Sequence, residues 1–288
     1  MRYKIIADSC CDLTRELREE MQVTTIPLNM TLGDKCFVDD DTLDLPQFME
    51  EMKACTTKIG SASPSPMLYK EAFQGAHTSF AITLSSNLSS SYSSALVGKD
   101  MAEEEGADVH VFDSKSASAG QLLLALKLRK LIDEGYHKSE IISTLESFIS
   151  KMKTYFVLEN LDNLVKNGRM NKITGKILSL LHIRPILGSD GDGNIAFFTQ
   201  ARGQNQIIEK LADTIEKSGR ATEGESIVIT HCNNPGLAEK LMNALSLCRI
   251  RSVIHKTAVI RQGYSIAHPT KGSLWPFKNI QGLSSLYG

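Results

Sequence analysis

The sequence predicts an α/β protein of two domains, an N-terminal α/β/α domain on a parallel sheet and a C-terminal α/β domain with a mixed or antiparallel sheet. Three observations carry this prediction. Over roughly the first 150 residues, short apolar runs alternate with stretches of helical spacing, and parallel strands need such crossovers. In the second half, apolar extended runs follow one another across tight turns, the pattern of antiparallel pairing. A chain of 288 residues that is 42% hydrophobic also exceeds the usual size of one domain while supplying cores for two. The domains are expected at 1–155 and 156–288, with a small extended excursion at about 24–45.

Taken in order, "YKIIAD" is a β-rich run ending in a polar turn, and Leu13, Leu17 and Met21 after it have helical spacing. "VTTIPLNMTLGDKCFVDD" alternates and turns at Gly33-Asp34, which predicts the hairpin-like excursion, followed by a helix from about Pro46 to Cys55. Pro66 opens another helix, with Ser65 placed to cap it. Then come a strand at "FAITL", a serine-rich loop, a helix from about Tyr92 to Glu105, a strand at "DVHVFDS" and a long apolar-faced helix stopped at Gly135. The second half offers extended runs at "HIRPILG", "NIAFFTQ", "ESIVITH" and "RSVIHKTAVI", with "GSDGDG" turning between the first two. Helices are expected near Gln204–Lys217 and Pro235–Leu247.

A charged content of 23% and a formal net charge of -1, with no long basic run, describe an ordinary soluble protein and argue against a nucleic-acid partner. The start "MRYKIIADSC" lacks an apolar signal core and no run is long enough to span a membrane, so a cytoplasmic protein is expected. The six cysteines form no CxxC pair and read as reduced thiols. Adjacent Cys10-Cys11, after a strand end, would be reactive only if the local field lowered a thiol pKa.

Three strands of the first half end in hydroxyl-bearing turns, at Asp8-Ser9, Ser85-Ser86 and Asp113-Ser114. Ligands of open α/β sheets gather outside the carboxyl ends of the strands, so these turns should share one crevice. Helix N-termini with adjacent hydroxyls hold carboxylates or phosphates without any lysine, and "SASPSP" at Ser61–Pro66 repeats the device. For any single serine, capping a helix is explanation enough. Seven serines between Ser85 and Ser94 exceed the need of one cap, and a stretch without Gly or charge between two apolar elements is not a flexible linker. Asp8 and Asp113 read better as turn-stabilising side chains than as metal ligands. Neither GxSxG nor GxxxxGK[ST] occurs, which leaves a nucleophilic or nucleotide-binding role thinly supported. An anion-friendly cleft beside strongly apolar segments suits an amphiphile, its acid on the serines and its tail in the core.

The motifs "ADSCCDL", "SASPSP", "LSSNLSSSYSSA", "DSKSASAG" and "LDNLVKNGRMNK", with "IRPIL", "DGNI" and "ARGQ" downstream, resemble in order and spacing those of the DegV family of fatty-acid-binding proteins, the acyl-carrier subunits of bacterial fatty acid kinase. The resemblance covers most of the chain. It implies a long-chain fatty acid held between two α/β domains and a separate kinase subunit that phosphorylates its carboxylate to an acyl phosphate. The chain itself would be a carrier without a cofactor or metal, in transient contact with membranes. On the matching positions, Ser61 replaces the family's carboxylate-binding threonine and keeps its hydroxyl, while Ala62 loses one. Ser89 becomes the second carboxylate ligand, Ser91 is expected to bind the carboxylate as well, and Ser90 stands where the family favours glycine. Arg169 in "NGRM" would supply positive charge to the head group, and Arg202 in "QARGQ" would meet the kinase subunit. The family's His-x-Gly-Pro-Gly is here His268-Pro269-Thr270-Lys271-Gly272, which keeps the head-group histidine and the last glycine only.

Two rivals stand beside this reading. A small-molecule hydrolase or phosphotransferase in the same cleft would place a His or Asp within hydrogen-bond reach of Ser89 or Ser91, or a metal at Asp8 and Asp113. A lipid sensor would bind the same ligand without passing it on.

Overall fold

The computed structural model describes residues 3–158, 161, 164–165, 167–170, 183–218, 226–232, 234–247, 252–254 and 279–285. The chain divides into two compact units, Met1–Ser150 and Lys151–Gly288. Among the described residues no helix is long and apolar enough to cross a membrane.

The first unit is built on a four-stranded parallel sheet in the order β2-β1-β6-β7, with β1 at Tyr3–Asp8, β2 at Val23–Ile26, β6 at Thr78–Thr83 and β7 at Val109–Asp113. All three pairings are parallel, with Ile5 beside Val23 and Phe80, and Phe80 beside His110. Strand alternation sends Ile6, Ala81, Val109 and Val111 to one face, where they form a core with Tyr69 and Phe73 of α3 (Pro66–Phe73) and Ala95 and Ala102 of α4 (Ser91–Glu103). The other face carries Phe80 and Phe112, stacked with centroids 6.0 Å apart. On β1 and β6 it meets α5 (Ala119–Asp133), whose Leu122, Leu123 and Leu124 are buried. Next comes α6 at Lys138–Lys151.

Short sequence signals set the helix starts. Thr14 accepts the Leu17 N–H at 3.2 Å to begin α1 (Arg15–Glu20), and Asp44 accepts that of Gln47 at 3.0 Å to begin α2 (Leu45–Ala54). Ser65 accepts the Leu68 N–H at 3.4 Å ahead of Pro66, as its place in the sequence predicts. Beyond Asp133, Gly135 takes the left-handed conformation at φ 82 that ends α5.

The hairpin at Gly33 is present, pairing β3 (Asn29–Leu32) with β4 (Lys35–Val38). Its surroundings differ from expectation. Val23–Ile26 is an edge strand of the main sheet, and the third strand of the small sheet is β5 (Ile59–Ala62), antiparallel to β3. Alternation reports a half-buried strand and carries no information about its partner, so these assignments escape a sequence reading.

The second unit holds a six-stranded mixed sheet in the order β10-β9-β8-β13-β11-β12. Its strands are β8 (Lys153–Val157), β9 (Arg184–Ser189), β10 (Ile195–Ala201), β11 (Ser226–Cys232), β12 (Ser252–Ile254) and β13 (Asn279–Ser285). Only β11 and β12 pair in parallel among these strands. The GSDGDG turn joins β9 to β10, with Gly191 and Gly193 at φ 101 and 90. Helices α7 (Gly203–Lys217) and α8 (Pro235–Leu247) cover the sheet through Ile207, Leu211, Ile215, Ala238, Leu241 and Leu245. The helix α6 and the strands β8 and β13 are additions to the expected elements.

Candidate functional site

Because the chain leaves β1 first toward β2 and later returns on its other side as β6, the strand order reverses between β1 and β6. The crevice of an open α/β sheet lies at that reversal, beyond the strands' carboxyl ends. Asp8 ends β1 and is completely buried. Its Oδ2 accepts the Leu84 N–H at 2.8 Å and the Ser91 hydroxyl at 2.6 Å, and its Oδ1 accepts the Gln121 amide at 2.8 Å. The Cys10 N–H reaches the same carboxylate. Burial pushes the Asp8 carboxyl up, against these hydrogen bonds, which favour the ionised form.

The serines divide the work. Ser85 makes the turn, its carbonyl accepting the N–H groups of Leu88 and Ser89 at 2.9 and 3.0 Å while its hydroxyl accepts that of Asn87 at 3.3 Å. Ser86 binds Asp113 through both its N–H, at 3.1 Å, and its hydroxyl, at 2.5 Å. Lys115 donates its N–H to the same Asp113 at 3.0 Å. Asp113 is therefore the turn-stabilising side chain that its sequence position suggested. Ser89 accepts the Ser91 N–H at 3.2 Å through Oγ, which leaves its own hydroxyl proton uncommitted. Ser90, at the N-cap of α4, does not cap the helix with its side chain, and the first turn of α4 carries no acidic residue.

The SASPSP segment meets this loop. Ser63 Oγ lies 2.8 Å from Ser90 Oγ and 3.4 Å from Ser94 Oγ. Ser61 is half-buried on β5 opposite Met30, and its hydroxyl has no hydrogen-bond partner among the described residues. Two hydroxyl-bearing loops and the positive end of a 13-residue helix thus share one place, with two O–H donors unspent.

Ser91 departs from its expected role. Its single hydroxyl proton goes to Asp8, Tyr69 OH lies 2.7 Å from the same oxygen, and the residue is completely buried, so it has no proton to offer a ligand. The rival enzyme's sign, an Asp within reach of Ser91, is present. Both partners are sealed from solvent, however, and a nucleophile must touch its substrate. Cys10 and Cys11 are likewise buried, and burial, with Asp8 and Asp12 nearby, pushes both thiols well up, away from the reactive thiolate.

The remaining expected residues belong to the second unit. Arg169 is half-buried in a turn after Gly168, at φ 72, and its N–H donates to the Leu164 carbonyl at 2.9 Å. Arg202 is exposed at the N-cap of α7, where its N–H donates to the Gln206 side chain. His268 lies outside the described residues. Sequence reasoning missed Tyr69 and Gln121. A hint was present for Gln121, one polar residue inside the apolar run "AGQLLLAL"; Tyr69 carried none.

A family model described as "Uncharacterised protein, DegV family" matches residues 2–259. A DegV domain-containing protein of Streptococcus pyogenes serotype M3 is 33% identical over 267 residues, which cover 91% of this chain and 92% of that protein. Among solved structures, a DegV family protein from Ruminococcus gnavus with vaccenic acid matches at TM-score 0.84 and 31% identity, covering 100% of both chains. The Streptococcus pneumoniae Fatty Acid Kinase (Fak) B3 protein loaded with linoleic acid matches at TM-score 0.84 and 31% identity, covering 100% of this chain and 99% of that one.

Proposed function

The chain belongs to the DegV family, and on that premise we propose that it is a cytoplasmic carrier that binds a long-chain fatty acid and presents the carboxylate to a kinase subunit. The observation that carries this reading is the pair of unspent hydroxyls, Ser61 on β5 and Ser89 at the start of α4, on two loops that meet where Ser63 contacts Ser90. Vaccenic and linoleic acid in the two solved relatives support the class of ligand, and the Fatty Acid Kinase B3 protein supports the kind of partner.

The chemistry is consistent with such a task. Hydroxyl and amide donors hold a carboxylate without neutralising it as a tight salt bridge would, which leaves its oxygen nucleophilic toward a phosphoryl donor. An acyl chain of about 16–18 carbons, at ~0.8 kcal/mol per buried methylene, gains roughly 10 kcal/mol before ordering costs, so the tail supplies retention and the head supplies orientation. In this reading Ser61 and Ser89 bind the carboxylate, Arg169 lends positive charge near it, His268 is a further head-group ligand, Arg202 meets the kinase subunit, and the phosphoryl transfer belongs to that subunit.

The double variant Ser61→Ala/Ser89→Ala tests it. Losing two hydrogen bonds to a charged group should weaken fatty-acid binding on the order of 100-fold or more and slow acyl-phosphate formation with a kinase subunit and ATP. Unchanged loading and unchanged acyl-phosphate yield would remove the assignment.

A further inference from the structure

We propose that Asp8, Ser91 and Tyr69 form a buried positioning unit that sets the geometry of both hydroxyl loops for a bound carboxylate; this rests on the carboxylate-binding role given to those loops above. Leu84 and Ser91 flank Ser85–Ser90, and one oxygen, Asp8 Oδ2, receives a hydrogen bond from each, at 2.8 and 2.6 Å. A single buried carboxylate therefore pins both ends of the serine loop to the end of β1.

The second loop is tied to the same point. With the Ser91 proton donated to Asp8, Tyr69 must donate to Ser91 across their 2.7 Å contact, which fixes a one-way chain from Tyr69 through Ser91 to Asp8. Tyr69 lies one turn into α3, the helix that Ser65 caps at the end of the SASPSP segment. On the solvent side the Ser63–Ser90 contact at 2.8 Å joins the loops again. Beginning at Asp8, the path runs through Ser91, Tyr69, α3 and Ser63 to Ser90, and so returns to α4.

Gln121 supports the assignment independently. Its Nε2 donates to Asp8 at 2.8 Å while its Oε1 is buried without a hydrogen-bond partner. An orphaned buried acceptor is costly and uncommon, so the side chain is oriented for the bond to Asp8 rather than for its own satisfaction. Ser89, which offers its proton to the ligand, accepts the Ser91 N–H and takes its place from the residue that Asp8 holds. None of the three members of the unit needs to touch the fatty acid.

Positioning and plain structural support differ in what they do to head-group discrimination. The full chain, as wild type and as Asp8→Asn, Ser91→Ala and Tyr69→Phe, would be titrated with oleate and with its uncharged methyl ester. In Asp8→Asn and Ser91→Ala, oleate affinity should fall about tenfold, and in Tyr69→Phe about threefold, while methyl oleate affinity stays within about twofold of wild type. Equal losses for acid and ester, or an unchanged preference for the acid in every variant, would overturn the inference. Should Asp8→Asn fail to fold, Tyr69→Phe, which removes one oxygen, decides alone. A wild type that binds oleate but shows no head-group effect in the variants refutes this unit only; a wild type that binds neither lipid refutes the proposed function as well.

Discussion

Gly98→Ala gives a prediction whose sign separates tertiary packing from helix propensity. Gly98 lies within α4, where alanine is intrinsically favoured over glycine by about 1 kcal/mol. The structure argues the reverse. A Cβ built there would lie 2.6 Å from the Pro66 carbonyl oxygen, 2.6 Å from Tyr69 Cβ and 3.0 Å from the Lys70 nitrogen. Two of these atoms are backbone, so no side-chain rotation relieves the clash. Ordinary contact is about 3.5–4.0 Å, so α3 must retreat by about 1 Å. Overpacking of this kind costs about 1–3 kcal/mol. The same retreat carries Tyr69 OH from 2.7 Å to beyond hydrogen-bond reach of Ser91, at about 1 kcal/mol more. Set against the propensity gain, the net expectation is destabilisation by about 1–3 kcal/mol. Urea titration read by hydrogen exchange on peptides of α3 and α4 measures it, with Val97→Ala as control, since Val97 is 49% exposed on the same helix. A Gly98→Ala protein as stable as wild type, or more so, would refute the reasoning about the α3–α4 contact.

Two further predictions concern groups near the strand ends and the small sheet. Cys36 is exposed on β4 whereas Cys10, Cys11 and Cys232 are buried. Brief alkylation of the native protein should therefore modify Cys36 well before those three in peptide mass spectrometry, and early labelling of Cys10 or Cys11 would contradict their placement. Asp12 is a second buried carboxyl with a pH dependence. Burial first, then Asp39 and Asp8, push its carboxyl well up, opposed by a hydrogen bond from Ser118. The folded state accordingly holds a proton that the unfolded chain has released, so this group's contribution to stability declines as pH rises from the unfolded value through the folded one. Asp12 has φ 52, which asparagine tolerates, so Asp12→Asn should gain stability relative to wild type as pH is raised from about 4 to 7. Denaturation midpoints at both ends of that range check it, and a relative gain toward low pH would contradict the burial argument.

Legibility from sequence followed the range of the interaction. Strands and helices with a strong period, such as β1, β6, α5 and the β9–β10 hairpin, are written in the local pattern, as are Ser65 before Pro66 and the turn at Gly33. The partner of Val23–Ile26 is not, because the same alternation serves an edge strand and a hairpin arm. The serine loop behaved in the same way: its excess of hydroxyls was visible, and the division of labour among them was not. Ser91 illustrates the point, since nothing in "SSSYSS" distinguishes a hydroxyl offered to a ligand from one spent on a buried aspartate.

By itself the sequence determined the two-domain α/β architecture, the strand-end location of the polar residues and the family resemblance, because periodicity, capping and motif order are properties of neighbouring residues. Only the tertiary structure decided that Asp8 is a sealed acceptor rather than a turn residue, that Ser91 serves it, and that Tyr69 joins the site through Ser91, 22 positions away along the chain, and Gln121 through Asp8, 113 positions away. The physical reason is that a hydrogen bond's partner is set by where the sheet order and helix packing bring its ends, and that order is fixed by contacts between residues the local pattern never sees together.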